Sequence, residues 1–251
     1  MLAIDAAAYR GPWRRLHPAV KGTLFGGLLV CALVLPAWPG AALSALAALA
    51  AGFGPARVPP RAFLRAAWAP SLFVLTGAVT LLVSVGGPDG PVAWAPDGAR
   101  RAAEVSGRAA AALCCQLMFA FTTPLADLLP RLTRLGLPAA LVEVVALTYR
   151  MLFVLLDTTR RIQAAQAGRL GYRSRAAWIR SLGALGAAVF VRSYDRARRM
   201  RRGLECRGYD GTLTVLVEER PVRPAAIVAA VAPPLLVAVA ALAAGISPSP
   251  G

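Results

Sequence analysis

The chain has 251 residues, of which 57% are hydrophobic and 16% charged, with a mean hydropathy of +0.59 and a net charge of +16. A soluble domain of this length is rarely so apolar, so the composition argues against a soluble protein. Lys21 is the only lysine and His17 the only histidine, which excludes a P-loop ATPase and a histidine-based metal cage.

Four uncharged runs dominate the chain. A bilayer span takes about 20 mostly apolar residues. The runs contain 35, 23, 18 and 28 residues and cover positions 22–56, 66–88, 109–126 and 224–251. The first 21 residues are basic and lack an apolar centre, so no cleavable signal peptide is expected.

Basic residues lie on both sides of the first run, before residue 22 and at Arg57, Arg61 and Arg65. The positive-inside rule puts both basic segments in the cytoplasm. The run must then cross the membrane twice, and the prolines and glycine at positions 36, 39 and 40 mark the turn. The sequence therefore predicts spans one and two here.

The following elements continue this topology. Ala66–Val85 is predicted as the third span, Gly86–Gly98 as an outer loop, and Ala109–Phe121 as the fourth span. Thr122-Thr123-Pro124 ends that span, because proline cannot continue the helical hydrogen bonding. The arginines at 100, 101 and 108 run against the positive-inside rule. A last span at Pro224–Ala244 brings the total to about five.

The segment between residues 123 and 223 differs in composition. It holds 18 of the 28 basic and 8 of the 12 acidic residues, a net charge of +10 (18 − 8), so it is predicted to be cytoplasmic. Its apolar part, Leu135–Leu156, is interrupted by Glu143 and Arg150. Because charges inside a span are costly, we favour an amphipathic or membrane-skimming helix there, with a true span as the alternative.

Two amphipathic helices are predicted within this segment, residues 123–223, which we call the arm. The first covers about Leu152–Ala167, and one side of it carries Leu155, Thr159, Ile162 and Gln166. The second has an apolar stripe at three- and four-residue steps, typical of a helix packed on an apolar surface: Phe190, Tyr194, Ala197, Met200 and Leu204. Arg192, Arg196 and Arg199 lie off that stripe.

The predicted fold class is therefore all-α, a polytopic membrane protein with about five transmembrane helices and a cytoplasmic helical arm. Three domains are expected. Residues 1–122 form an N-terminal membrane domain of about four spans, residues 123–223 a cytoplasmic or membrane-skimming helical domain, and residues 224–251 a C-terminal transmembrane helix.

The two arm helices end alike, each with a small residue, an arginine, a glycine and a tyrosine. Glycine is the expected helix C-cap, and arginine complements the negative end of a helix, so capping alone is one explanation. The other is docking, since an arginine at a helix tip is a rigid fork for carboxylates or carbonyls of a partner. The two ends read Ala167-Gly168-Arg169-Leu170-Gly171-Tyr172 and Glu205-Cys206-Arg207-Gly208-Tyr209.

Five short motifs spread along the chain carry a family resemblance, and the last of them is the most specific. The motifs are Leu16-His17-Pro18-Ala19-Val20-Lys21, Thr122-Thr123-Pro124, Leu135-Gly136-Leu137-Pro138, Leu147-Thr148-Tyr149-Arg150-Met151-Leu152-Phe153-Val154-Leu155-Leu156 and Leu204-Glu205-Cys206-Arg207-Gly208-Tyr209. On these motifs, nearly the whole chain resembles the transmembrane coupling subunit, or T component, of energy-coupling-factor transporters, most closely the cobalt and nickel branch (CbiQ type).

The resemblance implies a site for partner docking. In that family two short Ala-Arg-Gly motifs at the helix ends of the arm dock into grooves of two ATPase subunits. The matching residues here are Gly168, Arg169 and Leu170 at the first end and Cys206, Arg207 and Gly208 at the second. Both motifs keep the arginine and the small residue before it, whereas Leu170 replaces a glycine.

The resemblance also implies a function. The chain is expected to be a non-catalytic scaffold in the inner cell membrane, with its N-terminus and arm cytoplasmic. It would relay the motion of two ATP-binding cassette subunits to a substrate-binding membrane subunit, for cobalt, nickel or a vitamin. No cofactor, metal site or catalytic residue is expected, nor nucleic acid as a partner.

Two other functions stay open from the residues alone. One is a membrane-anchored protein whose basic arm binds nucleic acid or anionic lipid. The other is a membrane enzyme acting on lipid or prenyl substrates. The ordered apolar stripe argues against a simple polybasic tail, and the scarcity of His, Asp and Glu in the spans argues against the enzyme.

Overall fold

The structure is a computed structural model, and it describes residues 3–87, 90–94, 97–132, 136–209 and 224–246. Nearly all regular structure in these ranges is α-helical, which confirms the predicted all-α class. The elements are α1 (Ala3–Arg10), α2 (Pro18–Val34), α3 (Ala42–Phe53), α4 (Pro60–Leu81), β1 (Val83–Gly87), β2 (Gly90–Trp94), α5 (Gly98–Thr122), α6 (Leu125–Leu132), α7 (Ala139–Gly168), α8 (Arg175–Glu205) and α9 (Pro224–Ile246).

The chain divides into two compact units, one made of Met1–Leu128 with Glu219–Gly251 and the other of Leu129–Glu218. In the first unit α5 is central and packs against α2, α3 and α4, while α9 packs on α2. The core of this unit is apolar and includes the buried residues Phe25, Leu28, Cys115, Met118 and Phe121. It is a helical bundle whose outer surface is also apolar.

The predicted spans are confirmed as helices. Three helices of the described residues are long and apolar enough to cross a membrane, namely α4, α5 and the Pro224–Ala244 part of α9. The first apolar run forms two shorter apolar helices, Pro18–Val34 and Ala37–Phe53, with the break at the expected prolines. Together they make the five predicted membrane helices.

The connection between the third and fourth spans differs from the prediction. Instead of a loop over Gly86–Gly98, β1 and β2 pair as an antiparallel hairpin in which Val83 lies opposite Trp94. Helix α5 then begins at Gly98, well before the predicted Ala109. The fourth span was predicted to begin at Ala109 because arginines interrupt the apolar pattern before it, but those arginines lie within the helix.

The second unit is a pair of long helices. The two overlapping stretches predicted as helical, Leu135–Leu156 and Leu152–Ala167, belong to one helix, because α7 runs without interruption for 30 residues from Ala139 to Gly168. The stretch has neither proline nor internal glycine, and its charged positions do not interrupt helical hydrogen bonding. The side predicted to pack is half-buried throughout: Leu155, Thr159, Ile162 and Gln166.

Helix α8 spans 31 residues and begins at Arg175, where the Ser174 side chain accepts a hydrogen bond from the backbone of Ala177 at 3.2 Å. Its predicted apolar stripe is only partly covered. Met200 and Leu204 are half-buried, whereas Phe190 and Tyr194 are 69% and 57% exposed. Within the described residues, the surface on which the stripe was expected to pack covers only one end of it.

Candidate partner-docking site

The C-terminal ends of α7 and α8 have the same backbone structure. The amide of Gly171 donates to the carbonyl of Gln166 at 2.9 Å, and the amide of Tyr209 donates to that of Leu204 at 3.0 Å. Each bond links residues five apart, which is the Schellman motif that closes a helix. Arg169 and Arg207 occupy equivalent positions, one residue before the left-handed residue of each motif.

The left-handed residue is glycine at only one of the two ends. Gly208 has φ of 71°, as expected, but at the first end Leu170 takes this conformation with φ of 57°. The expectation of a glycine cap was therefore wrong for the end of α7. Left-handed backbone costs a residue with a Cβ about 1 kcal/mol or more, so the surrounding contacts must stabilise this turn.

Those contacts come from a network of side chains between α7 and α8. The Gln166 Nε2 donates to the carbonyl of Ser181 at 2.9 Å, and the Tyr172 hydroxyl donates to Gln166 Oε1 at 2.6 Å. The Ser181 hydroxyl in turn donates to the carbonyl of Gly171 at 2.8 Å. A Cβ on Gly171 would lie 2.6 Å from Ser181 Oγ, so this glycine provides space rather than a left-handed turn.

The C-terminal end of α8 is held by a contact with the beginning of α7. The Tyr209 hydroxyl donates to Glu143 Oε1 at 2.8 Å, which joins the residue after the α8 cap to the first turns of α7. Glu205 pairs with Arg201 at 2.8 Å in the last turn. Helices α7 and α8 are therefore antiparallel, and Glu143, one of the charges that interrupts the apolar run, anchors the second cap.

All six predicted docking residues are exposed, as the burial along both helix ends shows. Among the described residues, the guanidinium groups of Arg169 and Arg207 form no ion pair. Gly171 contacts Ser181, and a helix rises 1.5 Å per residue, so the two arginines lie roughly 40 Å apart at opposite ends of the helix pair. This arrangement presents two similar cationic tips to solvent.

The membrane unit holds a second pair of cationic contacts, which sequence reasoning missed. Lys21, 1% exposed, donates from Nζ to the carbonyl of Thr122 at 2.7 Å, where α5 ends. Arg108 donates from Nη1 and Nη2 to the carbonyls of Leu33 and Leu35 at 3.3 and 3.2 Å, where α2 ends. Each helix thus supplies the cation that caps the other, which accounts for an arginine that the positive-inside rule disfavours.

The described residues contain no group of three or more His, Cys, Asp or Glu side chains placed to hold a metal ion. The single histidine has a structural role, since His17 Nδ1 accepts a hydrogen bond from the amide of Ala19 at 3.1 Å and caps α2. The exposed groups at the two helix ends are the guanidinium groups of Arg169 and Arg207, which can donate hydrogen bonds to carboxylates or carbonyls.

The two caps offer a matched test of backbone strain. We expect Leu170→Gly to stabilise the end of α7 by about 1 kcal/mol, and Gly208→Leu to destabilise the end of α8 by a similar amount. Hydrogen exchange at the amides of Gly171 and Tyr209 in the detergent-purified protein measures each end. Slower exchange in Leu170→Gly and faster exchange in Gly208→Leu are expected, and the reverse signs would contradict this assignment of strain.

Fold and site together define a polytopic membrane protein that carries a two-helix arm with an exposed arginine at each end. The family model described as "CbiQ: Cobalt transport protein" matches residues 11–217. The chain is 42% identical over 244 residues to the cobalt transport protein CbiQ of Rhodobacter capsulatus, covering 97% of this chain and 98% of that protein. It is 30% identical over 223 residues to CbiQ of Salmonella typhimurium, covering 84% and 98%.

A further relative is longer. The putative fused cobalt transport protein CbiMQ of Methanocorpusculum labreanum is 28% identical over 179 residues, which is 67% of this chain but 30% of that protein. The extent of the family match and the two full-length relatives are decisive. The chain belongs to the CbiQ family of cobalt transport proteins.

Proposed function

We propose that the chain is the membrane coupling subunit of an ATP-driven cobalt uptake transporter. The observation that carries this proposal is the pair of matching helix ends, which present Arg169 and Arg207 about 40 Å apart on one helix hairpin. Two equivalent tips suit a partner present in two copies, and exposed arginine is a frequent anchor of protein interfaces. Each tip would dock one of two ATP-binding cassette subunits.

The chain depends on partners for energy and for substrate. Its one lysine is buried against Thr122 at the end of α5, so no phosphate-binding loop is available to it. The fused relative, whose name joins CbiQ to a second component, supports a membrane partner for the substrate. Cobalt is favoured by the names of the relatives, and nickel or a vitamin is the alternative cargo.

In this proposal residues 1–122 and 224–251 remain in the membrane, and residues 123–223 relay motion. The N-terminus and the arm face the cytoplasm, where ATP is available. Closure of the ATPases would move the arm helices and tilt the substrate-binding subunit, a hinge or shear transmission without a chemical step in this chain. The rigid Schellman ends favour such a role, because they fix each arginine relative to its helix.

The test is reconstitution with partners. The tagged full chain is co-expressed with a candidate ATP-binding cassette ATPase and a candidate substrate-binding membrane protein from the same organism, and the complex is purified. We expect two ATPase subunits per chain, and ATP-dependent uptake of radioactive cobalt by vesicles that contain the complex, with nickel as competitor. Purification of the chain without the ATPase, or cobalt uptake that does not require ATP, would contradict the proposal.

A further inference from the structure

One face of α8 is built from exposed aromatic and basic side chains that the docking proposal does not use. Its residues recur at three- and four-residue steps and therefore share one side of the helix. We call this the aromatic–arginine face, and it consists of Phe190, Val191, Tyr194, Arg198, Arg201 and Arg202, all of them exposed.

The apolar part of this face has no covering element among the described residues. Phe190, Val191 and Tyr194 are 69%, 56% and 57% exposed. The rings of Phe190 and Tyr194 stack with centroids 6.5 Å apart, and the Arg198 guanidinium lies 5.9 Å from the Tyr194 ring. The aromatic pair is thus continuous with the first of the arginines, and the face changes from apolar to cationic along the helix.

The charge on this part of α8 is almost entirely positive, and three of its six arginines lie on the aromatic–arginine face. Residues 192–202 contain one acidic side chain, Asp195, and six arginines, a net charge of +5 (6 − 1). Within the face only Arg201 forms an ion pair with a described residue, the exposed pair with Glu205. So many like charges on one helix repel each other unless an anion lies against them.

We propose that the aromatic–arginine face binds the phosphate headgroups of anionic phospholipids, with Phe190 and Tyr194 entering the headgroup layer. Aromatic residues beside arginines on an amphipathic helix are typical of helices that lie in the membrane interface. Each arginine near a negatively charged leaflet contributes to the attraction, and the chain is itself a membrane protein, so such lipids are always adjacent. This proposal is independent of the ATPases.

The opposite face of α8 supplies a matched control. Arg192, Arg196 and Arg199 are also exposed and form no ion pair with described residues, but they lie away from Phe190 and Tyr194. The test variant is Arg198→Gln/Arg201→Gln/Arg202→Gln, and the control is Arg192→Gln/Arg196→Gln/Arg199→Gln. Both remove three positive charges from the same helix, so they separate a specific face from bulk charge.

Binding is measured by native mass spectrometry of the detergent-purified full chain with phosphatidylglycerol or phosphatidylcholine of the same acyl composition. We expect the wild type to retain phosphatidylglycerol preferentially, the test variant to bind it roughly 100-fold more weakly, and the control to lose much less. Phe190→Ser/Tyr194→Ser should also weaken retention. Circular dichroism checks that each variant keeps its helix content.

Three results would overturn the proposal. The first is equal loss in the test and control variants, which would mean that only bulk charge matters. The second is unchanged lipid retention in the test variant. The third is preferential binding of a short single-stranded RNA that displaces phosphatidylglycerol from the wild type, which would assign the face to nucleic acid. Because no ATPase is present, none of these results bears on the docking of Arg169 and Arg207.

Discussion

Reversing both tip charges, in Arg169→Glu/Arg207→Glu, is expected to abolish association with the ATPase while the protein remains in the membrane. Both guanidinium groups lie at exposed helix ends, and no ion pair within the described residues depends on them. Arginine anchors at interfaces are worth about 2 kcal/mol or more each, so the double change should weaken binding by at least about 1,000-fold.

The single changes distinguish two docking sites from one. If the tips share the interaction, Arg169→Glu and Arg207→Glu should each leave a partial complex with one ATPase, visible as a change of stoichiometry in native mass spectrometry. The control is Arg175→Glu/Arg180→Glu, which makes the same charge change at exposed positions on α8 outside both caps. This control should keep the full complex.

Full ATPase stoichiometry in the double variant would refute docking through these arginines. An equal loss in the control would instead show that ATPase binding follows the overall charge of the arm. The control is a stringent one, since Arg175 lies only six positions beyond Arg169 but at the start of the next helix. If charge reversal at Arg169 weakens ATPase binding and charge reversal at Arg175 does not, the effect depends on the position of Arg169 at the helix cap.

The membrane helices were predictable because apolar run length and proline position act locally. The break between α2 and α3 lies where Pro36 and Pro39 prevent continued helical hydrogen bonding, and α9 begins at Pro224 as expected. Helix boundaries that depend on charge were less well predicted. The fourth span was predicted from Ala109, but Arg100 and Arg101 already lie in the first turns of α5, and Arg100 pairs with Glu104 at 3.0 Å.

The C-terminal caps of α7 and α8 could be predicted only in part from short sequence patterns. The similarity of the two arm ends was visible as a repeated arginine, but the assignment of the left-handed residue to glycine failed at Leu170. Glycine preference is a local energy of about 1 kcal/mol, and it was outweighed by the hydrogen bonds that join Gln166, Tyr172 and Ser181 across two helices. Such contacts carry no periodicity in the sequence.

Hydrogen bonds between residues far apart in the chain could not be predicted from the sequence for the same reason. Lys21 and Thr122 are 101 positions apart, and each was noticed only as part of a separate motif. The fold brings the two motifs together at one end of the α2–α5 pair, and Arg108 with Leu33 and Leu35 at the other. The docking of Arg169 and Arg207, by contrast, stays a prediction, since it concerns a partner.

Lys21→Met and Arg108→Met are each expected to destabilise the protein, because they remove the cations that cap α5 and α2. Pro124 stops α5, so the carbonyl of Thr122 has no partner within the helix, and Lys21 supplies a charged donor. Hydrogen bonds from charged groups contribute about 1.5–3 kcal/mol. We therefore expect each variant to be about 2 kcal/mol less stable than the wild type.

Thermal unfolding of the detergent-purified protein, followed by tryptophan fluorescence, measures this loss. Arg101→Met is the control, because Arg101 is an exposed arginine on the same helix and its replacement should change stability by less than about 0.5 kcal/mol. The two caps lie at opposite ends of one helix pair and share no partner, so the double variant should lose about the sum of the single losses. A Lys21→Met protein as stable as the control would mean that burying the lysine costs as much as its hydrogen bond contributes, and the cap would then determine helix geometry rather than stability.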